Sequence, residues 1–445
     1  MQRREFLKTL GAGTAAVAGP AWLRAVQAAA ASAPAARPNI LFILADDYGL
    51  DGVGCYGSDR FKTPNLDTLA QTGLRFETCY STPLCGPTRC LFITGRYGFR
   101  TGGLSNGSAG RPAAADEPSV AKTLKAAGYA TAQVGKWRQM GGTPADWGFD
   151  EYLTDPTASG WFWAKGYTRN GQAVQVEKEV YYPDVMFEFA ADFMKRHREG
   201  PFFLYFAEHL VHGPILKTPD SKDGGNFYAD NVAYLDKQVG RLVAELDRLG
   251  LRQKTLVLFS ADNGTAGRSA TIGGRAINGA KGSMLEGGAR VALIANWKGT
   301  APEGKVVKDL VDFSDLHATF ADLAGAALPE GVTLDGRSFA PQLKGQAGRP
   351  RDWIFVQLGA KWYVREPLWK LNESGELFDM KDAPFVEKPA PADAPDAEAA
   401  AARKRLQAVL DGLNPAAGKT DAGRAPNTGK PRPKKDRKKQ PAAVT

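Results

Sequence analysis

Four short apolar runs punctuate the chain: Asn39-Ile-Leu-Phe-Ile-Leu44, Phe202 to Ala207, Thr255 to Ser260 and Val291 to Ala295. Each is too short for a helix and lacks polar alternation, the pattern of a strand buried on both faces. Between them lie segments with helical punctuation. Thr63-Pro64 to Gly73 offers an N-cap, a proline in the first turn and a terminal glycine. Tyr228, Val232, Leu235, Val239, Leu242, Leu246 and Leu249 recur at spacings of four and three, one apolar stripe on a long helix closed by Gly250. Strands alternating with helices predict an α/β domain over residues 37–340, a large mostly parallel sheet sandwiched by helices.

From residue 341 the texture changes. Asp352 to Leu358, Trp362 to Val364, Leu368 to Leu371 and Glu376 to Met380 are short strand candidates, with Gly359 and Asn372 to Gly375 as turns. With an Ala-rich helix at about 396–411 they predict a small C-terminal antiparallel-sheet subdomain spanning 341–413. Residues 414–445, rich in Pro, Gly and Lys, cannot bury enough surface to fold and are expected to be a disordered basic tail.

Charge changes the picture less than its total implies. The net charge is +9, yet residues 414–445 carry +7 and residues 1–27 carry +3, leaving 28–413 at −1. A near-neutral body gives nucleic-acid binding no electrostatic support. Arg3-Arg4, then Phe6-Leu7-Lys8, a Gly/Ala-rich run and an Ala-rich end read as a twin-arginine-type export signal within residues 1–36, cut between Ala28 and Ala36. No other run is apolar enough to span a bilayer, so the expected location is periplasmic or secreted, reached through the twin-arginine machinery. Cys55, Cys79, Cys85 and Cys90 crowd one short region. In an exported protein they raise the prospect of a disulfide, with Cys79 to Cys90 one pairing.

Two of the apolar runs end in acids: Leu44 leads into Ala45-Asp46-Asp47, and Ser260 into Ala261-Asp262-Asn263-Gly264. In open α/β sheets ligands bind beyond the carboxyl ends of strands, so both clusters can share one crevice. Three carboxylates and an amide oxygen make a hard, all-oxygen site suited to Ca²⁺ or Mg²⁺ rather than zinc. Cys85 precedes Gly86-Pro87-Thr88-Arg89 at a helix start, where exposed N–H groups favour an anion, and Arg89 adds a positive fork one turn on.

Cys85-Gly-Pro87-Thr-Arg89 resembles the Cys-x-Pro-x-Arg signature of the type I sulfatases, arylsulfatase-like members of the alkaline-phosphatase superfamily. The resemblance spans roughly 38–385: the opening strand with Asp46-Asp47, Thr63-Pro-Asn-Leu-Asp67, Thr94-Gly-Arg96, Asp262-Asn-Gly264, Lys281 with Glu286-Gly-Gly-Ala-Arg290, and Leu377-Phe-Asp-Met380. It implies a sulfuric ester hydrolase in which a formylglycine-generating enzyme oxidises Cys85 to an aldehyde. One hydroxyl of the hydrated aldehyde would attack sulfur, and loss of a proton from the other would expel sulfate. The resemblance further implies Ca²⁺, with Mg²⁺ second, on Asp46, Asp47, Asp262, Asn263 and the modified Cys85. Arg89 would steady the hydrate, while Lys136 and Lys281 would bind sulfate.

One departure stands out. The family's Lys-Trp-His reads Lys136-Trp137-Arg138 here; Arg138 can bind sulfate but cannot move a proton near neutral pH. That task is expected of His212, in Val211-His212-Gly213-Pro214, with His209 nearby. Trp161-Phe162-Trp163 and Tyr167 either stack on a sugar or belong to the core. The expected substrate is a sulfated small molecule or glycan. The competing readings are a phosphomonoester or phosphodiester hydrolase of the same superfamily and a weakly catalytic binder of sulfated glycans.

Overall fold

A computed structural model describes residues 37–107, 111–137, 140–155, 162–267, 270–391 and 396–420. The export signal, Arg138, Trp161 and residues 421–445 of the expected tail lie outside the described residues, while the first residues of that tail are ordered, with a short 3-10 helix at Pro415–Ala417. From Pro38 onward the chain is one compact unit.

Its ten-stranded sheet comprises β1 Asn39–Ala45, β2 Leu74–Tyr80, β3 Ala130–Gly135, β4 Glu151–Thr154, β5 Trp163–Arg169, β6 Gln172–Tyr181, β7 Phe202–Ala207, β8 Thr255–Ala261, β9 Arg290–Asn296 and β10 Lys305–Asp312. The order is β10-β2-β9-β8-β1-β7-β3-β4-β5-β6. Pairing is parallel through β8-β1-β7-β3-β4 and antiparallel where β9 meets β8 and β2, and where β5 and β6 close the far edge. All four apolar runs are strands, and β1, β7, β8 and β9 are buried along their whole length. The sheet is more mixed than the apolar runs alone predict, because β9 runs against both neighbours.

Helices cover the sheet. The stripe from Tyr228 to Leu246 lies on the helix Phe227–Arg248 and is buried. Thr63 precedes the helix Pro64–Gln71 as expected, but its hydroxyl caps nothing: it donates to Asp67 Oδ1 (3.0 Å) and accepts from the Gly54 N–H (2.8 Å). In the core, the Phe42 ring of β1 packs 4.8 Å from Phe92 on the helix Cys85–Thr94 and 5.9 Å from Tyr205 on β7. One buried ring thus fixes three elements that carry site residues, and truncating such a ring typically costs about 3–5 kcal/mol.

A separate five-stranded antiparallel sheet follows: β11 Ile354–Leu358, β12 Lys361–Arg365, β13 Trp369–Asn372, β14 Leu377–Asp379 and β15 Lys388–Ala390. Four of these match expected strands; β15, with proline at its centre, gave no strand signal in the sequence. The closing helix is Ala397–Leu413, capped by Asp396. The four cysteines are free thiols, so Cys79 and Cys90 are not paired; Cys90 Sγ lies 3.3 Å from Met140 Sδ instead.

Candidate active site

Strands β1 and β8 run side by side in register, Ala45 opposite Ala261, so Asp46-Asp47 and Asp262-Asn263 emerge from the same edge of the sheet. Continued extended backbone would send Asp46 and Asp47 to opposite faces. Asp47 instead adopts a left-handed φ of 57°, and both carboxylates reach one point. Cys85 Sγ lies 3.3 Å from Asp46 Oδ1 and 3.5 Å from Asp47 Oδ1. The turn is held by the Asp47 N–H, which donates to Asp262 Oδ1 (3.1 Å), and by Asn263 Nδ2, which donates to Asp47 Oδ1 (2.9 Å).

Cys85 is the first residue of the helix Cys85–Thr94, and Asn106 Oδ1, from a loop beyond the helix, accepts the Gly86 N–H at 2.8 Å. Arg89, one turn along, donates to Asp262 Oδ2 through Nε (3.0 Å) and Nη2 (2.7 Å), and through Nη1 to the Tyr205 hydroxyl (3.1 Å).

The remaining cations come from loops after strands. Lys136 follows β3, where Gly135 (φ 95°) brings the chain so close to the Ala207 carbonyl that no Cβ fits. Lys136 is buried and pairs with Asp46. Lys281 Nζ sits 2.5 Å from Asp47 Oδ1 and is partly exposed. Its loop is clamped to the acid turn where Gly264 meets Gly287; a Cβ at Gly264 would overlap the Gly287 carbonyl, which accounts for the glycines of both motifs. His212 Nε2 lies 3.7 Å from Asp47 Oδ2. An opening of about 240 Å³ reaches Asp47 between Val211, Gly213 and Pro214.

Burial works to raise the Asp46 pKa, but Lys136 and Arg89 outweigh it together, holding the carboxyl below its usual value. Burial, then Asp262 and Asp46, push the Cys85 thiol well above its ordinary range, so the unmodified side chain is a poor thiolate nucleophile. Burial works to lower the Lys281 pKa, but Cys85 and then Asp47 outweigh it, with a net upward shift.

The donors fit a hard divalent cation. Asn263 Oδ1 is buried with no hydrogen-bond partner, an oxygen left over in the middle of the acids. One ligand atom each from Asp46, Asp47, Cys85 and His212 falls within 4.8 Å of the others. Of that group Asp46 and Asp47 supply the hard oxygens, at a spacing that calcium–oxygen distances of roughly 2.3–2.6 Å can bridge, whereas the His212 nitrogen is the softer member and lies at the edge, 3.7 Å from Asp47 Oδ2. Asp262 lies outside this group: its Oδ2 accepts twice from Arg89, and its Oδ1 accepts only the Asp47 N–H, which leaves a lone pair on Oδ1 for a cation.

The structure therefore gathers Asp46, Asp47, Cys85, Arg89, Lys136, His212, Lys281, Asp262 and Asn263 in one centre. His209 does not join them: it is fully buried, 3.6 Å from Asp155, with its ring near Tyr182. The aromatic segment divides. Phe162 is core, and the Trp163 indole N–H donates to the Lys217 carbonyl (2.8 Å) beside Tyr181. Tyr205, Asn106 and Glu208 were not legible in the sequence. Tyr205 had one available signal, the lone hydroxyl in the apolar run Phe202 to Ala207.

Residues 38–326 match the Sulfatase family model. Human arylsulfatase A is 35% identical over 365 residues, covering 74% of this chain and 72% of that protein. N-acetylgalactosamine-6-sulfatase of Canis lupus familiaris is 33% identical, covering 73% of this chain and 69% of that protein. The crystal structure of Ps i-CgsB in complex with k-i-k-neocarrahexaose superposes with a TM-score of 0.71 at 28% identity, covering 85% of this chain and 92% of that one. The cysteine at the helix start, the acids at two strand ends and the ring of cations thus sit in a chain that belongs to the sulfatase family, the sulfuric ester hydrolases.

Proposed function

We propose that the protein hydrolyses sulfate monoesters on a sulfated carbohydrate, through formylglycine made from Cys85 by a formylglycine-generating enzyme. A divalent cation, Ca²⁺ in preference to Mg²⁺, is held by Asp46, Asp47, Asp262, Asn263 and the modified Cys85. The observation that carries the reading is the approach of Cys85 Sγ to Asp46 and Asp47, at 3.3 and 3.5 Å, at a helix start ringed by cations. Bound there, the cation and the formylglycine supply an acidified hydroxyl nucleophile and neutralise sulfate oxygens.

The chain's own residues do the rest. Three carboxylates already balance Arg89, Lys136 and Lys281, so a divalent cation leaves the centre positive and ready for an anion. Lys136 and Lys281 hold the sulfate oxygens, joined by Arg138. Arg89, locked by Asp262 and Tyr205, orients the modified side chain. His212 gives a proton to the leaving-group oxygen, since Arg138 cannot. Cys85 is 1% exposed, so its oxidation precedes folding. That order suits export of the folded protein by the Arg3-Arg4 signal. The carbohydrate assignment is supported by the glycan bound to Ps i-CgsB and by the N-acetylgalactosamine-6-sulfatase relative.

The test is production with a formylglycine-generating enzyme, peptide mass spectrometry at Cys85, and turnover of an aryl sulfate against an aryl phosphate. The aldehyde is expected in the active fraction with sulfate preferred, and Cys85→Ala lowers turnover by about 10⁴-fold or more. An active preparation holding only unmodified Cys85 would sink the proposal.

A further inference from the structure

The small sheet and the catalytic layer enclose a cleft of about 1090 Å³. One wall begins with Leu84, immediately before Cys85, and with Gly282, immediately after Lys281. The facing wall is the β11–β12 hairpin, ending at Lys361 and Trp362. A third side is the segment that follows the last helix, from Pro415 to Thr420. That segment is tied to the catalytic layer: the Lys419 N–H donates to the Phe99 carbonyl (2.7 Å), and Lys419 Nζ lies 3.6 Å from Glu117 Oε1.

The lining has a distinct chemistry. Leu84, Leu104, Met284, Leu285, Leu358 and Trp362 make it largely apolar; its charged residues are Lys361 and Lys419, and no carboxylate lines it. Lys361 is exposed and has no acidic partner among the described residues. A half-buried indole and an exposed lysine at the end of one hairpin suit a ring with an apolar face and an anionic substituent. A purely apolar leaving group would cover the leucines and the indole and leave the lysine edge unused. A sugar unit bearing its own sulfate or carboxylate uses both.

We propose that this cleft takes the sugar next to the scissile ester in an anionic glycan. The C–H face of that sugar packs on Trp362, and its further anionic group meets Lys361. The segment Pro415 to Thr420 forms a further part of its wall. The inference rests on the sulfatase reading and narrows its substrate class.

The experiment compares the formylglycine-bearing parent with Trp362→Ala and Lys361→Ala. The substrates are 4-nitrophenyl sulfate and size-defined carrageenan- and glycosaminoglycan-derived oligosaccharides, each in forms with one and with two anionic groups. Trp362→Ala is expected to raise the oligosaccharide KM about tenfold while aryl sulfate kcat/KM stays within about twofold. Lys361→Ala is expected to raise KM about fivefold for doubly anionic oligosaccharides alone, an effect that shrinks with added salt. Equal losses on aryl and glycan substrates, or no change on either, overturn the cleft assignment. A parent that turns over aryl sulfate but no anionic oligosaccharide overturns it too, with the sulfatase reading intact. A modified parent that cleaves no sulfate ester at all removes the sulfatase reading itself.

Discussion

Two buried clusters of charge sit at the two ends of the loop from Lys281 to Glu286, built from similar parts for different ends. At the Lys281 end, Asp46, Asp47 and Asp262 face Arg89, Lys136 and Lys281. At the other end, Glu286 accepts from Tyr80 (2.6 Å), Arg365 (3.1 Å) and Arg290 (3.2 Å). There too the Glu286 N–H donates to Glu387 (2.8 Å), which pairs with Lys370 on β13. The second cluster rivets the small sheet to the catalytic layer, each carboxylate shared among donors that belong to the fold. The first converges on a single point, keeps the Asn263 carbonyl oxygen unpartnered and carries the cysteine. Buried ion pairs do not by themselves announce function. What separates the two is an oxygen with nothing to bind and several donors aimed at the same place.

That contrast can be broken experimentally, starting with the largest effect. Asp47→Asn should lower kcat on 4-nitrophenyl sulfate by about 10³-fold. It should also abolish the rise in melting temperature that calcium gives the parent, about 3 kcal/mol of added stability at a hundredfold excess over Kd. A variant still stabilised by calcium would show that the cation sits elsewhere.

His212→Ala should cost about 10²-fold in kcat, the usual scale for losing a proton donor. His209→Ala should instead lower the melting temperature, because His209 is fully buried away from the centre. Equal mild effects of the two on turnover would remove His212 from the chemistry.

At the rivet, Glu387→Ala leaves Lys370 buried without its counter-charge and should cost about 3–5 kcal/mol of stability in chemical denaturation. Turnover per folded molecule should stay within about threefold. Loss of turnover at unchanged stability would mean that the two clusters are one functional unit.

The smallest effect concerns Glu208, a fully buried carboxyl that neither cluster compensates. It accepts the His209 N–H (2.8 Å) and the Leu210 N–H (3.3 Å), and Oε2 has no partner. Burial dominates those hydrogen bonds and raises its pKa from 4.5 to about 7. The folded state therefore holds a proton that the unfolded chain has released between those values. The Glu208 contribution to stability falls as pH rises from about 4.5 to 7, by up to about 3 kcal/mol, and is flat above. Glu208→Gln should flatten that slope in melting curves; an unchanged slope would assign it to other groups.

Much of the centre could be read without coordinates, because its chemistry is local in sequence. Acids that end apolar runs, a cysteine before Gly-Pro-Thr-Arg and glycines in Asp-Asn-Gly and Glu-Gly-Gly each reflect a short-range constraint. Strand ends, helix starts and close backbone approach all leave marks within a few residues. The strands β2, β3 and β10 were harder, since polar residues such as Arg75, Gln133 and Lys308 interrupt their apolar pattern. Register between β1 and β8 was invisible as well, and it alone makes Asp46 and Asp262 neighbours.

From its order of residues, this chain determined which strands would be buried, where a helix would begin at Cys85 and which side chains could hold a hard cation. Folding decided the rest: that Tyr205 and Asn106 support the centre, that the four thiols stay unpaired, that Phe162 serves the core and that Trp362 lines the cleft. The reason is distance along the chain. Patterns of period two or 3.6 record what a residue does beside its near neighbours, whereas partners more than a hundred positions apart meet only once the sheet order is set.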